Sequence, residues 1–282
     1  MPLALARLLR HGTLLVAVTA TVLTAAPAAQ ARTAHCGMRI KHDFTLHRNL
    51  RNCRGDGLVV VADNVTVNLG GHTIDGRRRR SSVGVRVTGV QGVTVRRGRI
   101  KQFGMGVLLV GSTHARILRN RISGSFDEGI FTDETSSHLF IAHNRINTSG
   151  IRSGALWADG IDARGDAVRV VSNAVWHNHD DGIDVNGTDL SVFGNLVVGN
   201  VHDGIDVDGH DVVVRENRSR RNGDDGIGVS RLAGNVTIGA NTLTRNADLG
   251  VQPVAGTFVD GGGNRALLNG DPRQCVRVVC SG

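Results

Sequence analysis

Asp180-Asp181-Gly182-Ile183-Asp184-Val185, His202-Asp203-Gly204-Ile205-Asp206-Val207 and Asp224-Asp225-Gly226-Ile227-Gly228-Val229 are three copies of one phrase, set 22 residues apart. Outward from them, a glycine followed by an apolar residue recurs at Gly84-Val85, Gly106-Val107, Gly129-Ile130, Gly160-Ile161 and Gly250-Val251. The steps are 22, 23, 31, 22, 22, 22 and 24 residues, and the one long step holds an insertion around Asn147–Trp157. Two asparagine series run in phase with the glycines. One is Asn120, Asn144, Asn173, Asn195, Asn217, Asn241 and Asn264; the other is Asn178, Asn200, Asn222, Asn246 and Asn269. A fixed period of this kind means a solenoid or a propeller.

The length of the period separates the two. Propeller blades need about 40 residues and helical repeats about 33, and the leucine pattern of a leucine-rich repeat is missing. Between the punctuation lie short β-branched runs: Asn64-Val65-Thr66-Val67, Gly92-Val93-Thr94-Val95, Val168-Arg169-Val170-Val171 and Asn235-Val236-Thr237-Ile238. Two or three such strands per repeat make one coil of an all-β, right-handed parallel β-helix of about nine or ten coils. A single coil cannot bury its apolar side, so stability comes from stacking coils at about 4.8 Å. With 38 Gly and only 4 Pro in 282 residues, the glycines are expected to mark tight turns. One domain, residues 32–282, is expected, with residues 36–56 as N-terminal cap and 264–282 as C-terminal cap.

Residues 1–31 contain no acid; Arg7 and Arg10 precede the apolar run Leu14 to Ala26, and Ala29-Gln30-Ala31 follows. These are the parts of a secretory signal peptide cleaved after Ala31. No other apolar stretch approaches the ~20 residues of a membrane span. The four cysteines fall into two local pairs without zinc-site spacing, so Cys36–Cys53 and Cys275–Cys280 are expected as disulfides of an extracellular protein. The formal net charge of +8 hides a division. Residues 32–123 carry 18 Lys+Arg against 4 Asp+Glu, and residues 124–282 carry 13 against 21. The basic part includes the run Arg77-Arg78-Arg79-Arg80, suited to polyanionic envelope polymers. An exported chain without interleaved aromatics does not point to nucleic acid. The absence of Tyr removes any mechanism with a tyrosine acid or base.

The opening stretch, Cys36-Gly37 through Cys53, then Asp56-Gly57-Leu58 and Asn64 through Ile74, resembles the start of secreted bacterial right-handed β-helix repeat proteins. These share the fold of pectate lyases and of the NosD copper-maturation proteins. The resemblance implies the fold for the whole mature chain; the fold itself hosts many activities.

Chemistry is sought on the outward ladders. Neighbouring strand residues face opposite sides, so the residue after each inward Ile or Val faces out. That column reads Arg86, Leu108, Phe131, Asp162, Asp184, Asp206, Gly228 and Gln252. The position before each glycine adds Glu128, Asp159, Asp181, Asp203 and Asp225. Carboxylates stacked at coil spacing repel, and they persist by staying solvated, by raised pKa values or by holding cations, for which oxygen ligands favour Ca²⁺. Asp159, Asp180, Asp181, Asp184, Asp203 and Asp206 are the candidate metal ligands. The order Asp159, Asp180-Asp181 with Asp184 beside them resembles the calcium cluster of pectate lyases, which implies Ca²⁺-assisted removal of a uronate proton. That family's lysine base has no counterpart here, which leaves arginines such as Arg218 and Arg220. The order Asp159, Asp180-Asp181, His202 is similar to polygalacturonases and implies those four as catalytic residues of a hydrolase, although the family's downstream Arg-x-Lys is missing. Trp157 and Trp176 are candidates for stacking on sugar, with Arg218 and Arg220 as further substrate-binding residues. Three readings follow: a monomeric protein acting on acidic polysaccharide as lyase or hydrolase; a non-catalytic cell-envelope module; and NosD-like metal handling through His177, His179 and His202.

Overall fold

The computed structural model describes residues 34–147, 149–150, 158–253 and 257–282. The expected signal peptide and Trp157 lie outside these residues. Among the described residues there is no helix. The described strands form three parallel sheets of ten, ten and eleven strands, and every third strand joins the same sheet until the last, Cys280–Ser281, which pairs with the strand just before it, Asn264–Leu267. One coil shows the plan. Ile183–Asn186 lies in the first sheet, Thr188–Phe193 in the second and Leu196–Val198 in the third. Ten stacked strands at about 4.8 Å give a stack about 43 Å long.

Register is held by in-line ladders. Ile161, Ile183, Ile205 and Ile227 are partners on successive coils and are wholly buried. Val170, Val192 and Val214 do the same in the second sheet, and Ile100, Ile122, Ile146 and Val175 in the third. β-branched side chains suit this interior, because each sits on its counterpart one coil away.

Both asparagine series are buried at corners. The first turns the chain from the second sheet into the third. Asn195 Nδ2 donates to the Val170 carbonyl (2.9 Å) and to Asn217 Oδ1 (3.0 Å), while its own Oδ1 accepts from the backbone N–H of Asn173 (2.8 Å). The second series, at the corner into the first sheet, repeats this amide-to-amide stacking from Asn178 to Asn200 to Asn222. The residue before each asparagine is left-handed: Ser172, Gly194 and Glu216 in the first series, His177, Gly199 and Arg221 in the second. Such a backbone is costly for residues other than glycine. It is held here because the asparagine side chain closes the corner on both sides.

The repeat glycines differ from expectation. Gly182, Gly204 and Gly226 do not have positive φ. They are required by close approach instead. A Cβ on Gly182 would lie 2.6 Å from Asn200 Nδ2 and 2.6 Å from the Gly204 carbonyl oxygen. Glycine lets the first sheet pass directly over the buried asparagine column.

Both expected disulfides are present, with Cα–Cα distances of 5.5 Å for Cys36–Cys53 and 6.2 Å for Cys275–Cys280. Residues 38–53 already fold as three strands that pair with the next coil.

Candidate functional site: the acidic column

The corner at Asn178 delivers the chain into the first sheet through His179, Asp180 and Asp181. Gly182 then passes over the asparagine column, Ile183 turns inward, and Asp184 faces out. Because Asp162, Asp184 and Asp206 are partners in register, their carboxylates stack on three coils. Phe131 precedes them in the column and Gly228 follows.

The aspartates before the glycines form a second column with a structural task. Asp159 Oδ1 accepts from the backbone N–H of Asp181 (2.9 Å), Asp181 Oδ1 from that of Asp203 (2.7 Å), Asp203 Oδ1 from that of Asp225 (2.7 Å), and Asp225 Oδ1 from that of Leu249 (2.8 Å). Each carboxylate thus ties its coil to the next, as the asparagines do at their corners.

Burial dominates the electrostatics, and the neighbouring carboxylates add to it. It pushes Asp181 up to about 8 and Asp203 up to about 9, each helped by nearby aspartates. Asp225 rises to about 7, Asp206 to about 6, and Asp159 and Asp184 stand well above an ordinary aspartate. These groups cannot all carry charge together, so near neutral pH the column holds protons.

Among the described residues, three groups of oxygens lie close enough to share a cation: Asp159 with Asp162 and Asp184, Asp184 with Asp206 and Asp208, and Asp203 with Asp224 and Asp225, all within 4.8 Å in each group. Asp184 belongs to two of them. Its Oδ1 is enclosed and has no hydrogen-bond partner among the described residues. An enclosed carboxylate oxygen without a donor is what a proton or a hard cation would satisfy.

One coil along, His202 Nδ1 lies 2.5 Å from Asp180 Oδ1. Asp180 is buried, and His202 is exposed. Burial raises the Asp180 carboxyl, while His202 beside it pulls the other way. With Nδ1–H donating to Asp180, the ring presents Nε2 to solvent as a proton acceptor. Asp180, Asp181 and His202 form one close group.

The structure thus brings Asp180, Asp181 and His202 together, and Asp159 together with Asp184. Trp176, Arg218 and Arg220 stand elsewhere, on the outward side of the third sheet. Trp176 and Arg220 share a groove there with Arg145 and His177. Among the described residues, no close group of ligand atoms joins His177 or His179 to His202. Arg80 from the basic run lies over the Phe126 ring (4.6 Å) and 3.8 Å from Asp127. The sequence reading passed over Arg164, whose Nε is 3.0 Å from Asp162 Oδ1 and whose guanidinium lies over Phe131. Following the outward side two residues past Asp162 would have found it. Asp208 stands two residues beyond Asp206 in the same way.

The family described as right handed beta helix region matches residues 42–189 and 157–266. A comparison with curated protein sequences finds no match. Among solved structures, the chain is similar to the periplasmic alginate epimerase AlgG, at 18% identity and a TM-score of 0.58 over 72% of this chain and 50% of that one. It therefore spans about half the length of that relative. It is also similar to the Dettilon tailspike protein, at 14% identity and a TM-score of 0.56 over 86% of this chain and 59% of that one. At these identities the likeness is one of fold. With the family matched along the coils and the three stacked parallel sheets in place, the chain belongs to the right-handed β-helix family.

Proposed function

We propose that the protein is secreted, with its signal peptide removed after Ala31, and cleaves an acidic, uronate-bearing polysaccharide by β-elimination at the acidic column. The observation that carries this reading is the His202–Asp180 pair, set within 4.8 Å of a carboxyl, Asp181, that holds a proton near neutral pH. His202 Nε2 removes the uronate C5 proton, with Asp180 holding the ring and balancing the imidazolium. The electron pair left at C5 forms the C4–C5 double bond as the C4–O bond breaks, and Asp181 gives its proton to the leaving oxygen. Asp159, Asp162 and Asp184 are the residues that would hold Ca²⁺, which when bound neutralises the substrate carboxylate and acidifies the C5 proton. The fold is one that an alginate epimerase uses.

Incubation with polygalacturonate, alginate and glycosaminoglycans, with Ca²⁺ or with chelator, tests the proposal. Ultraviolet-absorbing unsaturated product is expected, and His202→Gln should reduce it about 10²-fold or more. New reducing ends without that absorbance would make the site a hydrolase using the same carboxylates. A second reading has its own support: the hydrogen-bonded aspartate ladder is sufficient reason for much of the column to exist. No product from any polymer would select that reading, a non-catalytic envelope module.

A further inference from the structure

Arg99, Arg121 and Arg145 are partners in register on three successive coils of the third sheet. All three are exposed. Arg99 Nη1 donates to the Gly71 carbonyl (3.2 Å), and among the described residues none of the three pairs with a carboxylate. Guanidiniums stacked about 4.8 Å apart repel by roughly 0.9 kcal/mol per neighbouring pair even in water. Folding does not require them: Ile100, Ile122 and Ile146, the inward residues of the same strands, carry the packing. The arginines line one groove of about 280 Å³ with Lys101 and Trp176. Lys101 is neutralised in part by Asp75 at 3.1 Å. Trp176 stands one coil beyond Arg145, in the neighbouring column.

We propose that this groove binds an anionic polysaccharide, at a site separate from the acidic column and independent of whether that column catalyses. Guanidinium forks match carboxylates in a bidentate way that an ammonium does not. Three of them at fixed spacing along the stack fit a linear polymer carrying regular charges better than a single small anion. The indole at the end offers one flat apolar surface, enough for one sugar ring. Single-stranded nucleic acid uses a succession of aromatic platforms, and this groove has one. A polyanion at the acidic column meets like charge, whereas at the arginine column it meets opposite charge with no cation needed. The chain leads from Trp176 through the Asn178 corner to Asp180, so the groove and the acidic column lie on different sheets.

The test is calorimetric binding of oligogalacturonate and oligomannuronate to the purified protein, in chelator, over a series of salt concentrations. The double variant R121A/R145A should bind about tenfold more weakly or worse, and the slope of log K against log salt should fall by about 1 to 2. Trp176→Ala should weaken binding about fivefold with the slope unchanged. The control R39A/R215A removes the same charge from exposed sites on the first and second sheets and should change affinity less than about twofold. Circular dichroism and melting temperature verify that each variant is folded. Binding that vanishes in chelator overturns the proposal, and so does binding that R121A/R145A leaves unchanged. Single-stranded DNA binding more tightly than either oligouronate at equal salt also overturns it. Binding without turnover would sink the catalytic reading while supporting the groove.

Discussion

Each aspartate of the column before the glycines does two things at once. One oxygen accepts the backbone N–H of the next coil, and the group, once ionised, adds a buried charge to a stack of like charges. Asp203 illustrates how to separate them. Asparagine keeps an oxygen for the Asp225 N–H and removes the charge, whereas alanine removes both. Asp203→Asn should therefore be more stable than Asp203→Ala by about 1–3 kcal/mol, the cost of an unsatisfied buried amide, as read by chemical denaturation. Equal stabilities would mean that the 2.7 Å hydrogen bond contributes nothing. The outward direction of Asp184 and Asp206 was legible from alternation alone. The amide-capping role of Asp159, Asp181 and Asp203 was not, because the donor belongs to a residue 22 positions away that only coil stacking brings near.

At the scale of the element, a strand of three or four residues is too short to persist alone, and its corners hold it. A buried asparagine closes the corner through four hydrogen-bonding groups at once. Replacing Asn195 by Ala strands the Asn173 N–H and the Val170 carbonyl in a dry interior. That substitution should cost about 3 kcal/mol or more. Asn195→Asp should not rescue it, since a carboxylate has no N–H for Val170 or for Asn217 Oδ1. Unfolding in urea at neutral pH measures both, and a loss below about 1 kcal/mol for the alanine variant would refute the corner account. The asparagine series was visible in the sequence as a period. The glycines were visible too, but as expected turns. Their real constraint, the closeness of Asn200 and the next coil's carbonyl to Gly182, depends on packing between coils.

For the whole molecule, the acidic column should make stability depend on pH in an unusual direction. Asp181, Asp203, Asp206 and Asp225 are raised to about 8, 9, 6 and 7 from an ordinary 3.8. The folded protein then holds more protons than the unfolded chain between about pH 4 and about pH 9, so stability falls as pH rises through that window. Below the ordinary carboxyl value, this contribution is fully present. In chelator, the melting temperature should decline from about pH 5 to about pH 9. Added Ca²⁺ should flatten the decline by taking the place of protons on Asp184 and its neighbours. A flat profile in chelator would show that the column stays solvated and ionised. A profile that Ca²⁺ does not alter would remove the cation site while leaving the arginine groove untouched.

The sequence by itself determined the coil length, the inward and outward alternation, both asparagine ladders, the pairing of the four cysteines and the stacking of carboxylates on consecutive coils. All of these are periodic or local, and a period is readable without coordinates. Only the tertiary structure decided which outward columns share a side. It set His202 against Asp180, and Trp176 with Arg99, Arg121 and Arg145 on a sheet other than that of the acidic column. The physical reason is that three corners divide each coil among three sheets. Residues a few positions apart can therefore face different directions, while residues 22 apart touch.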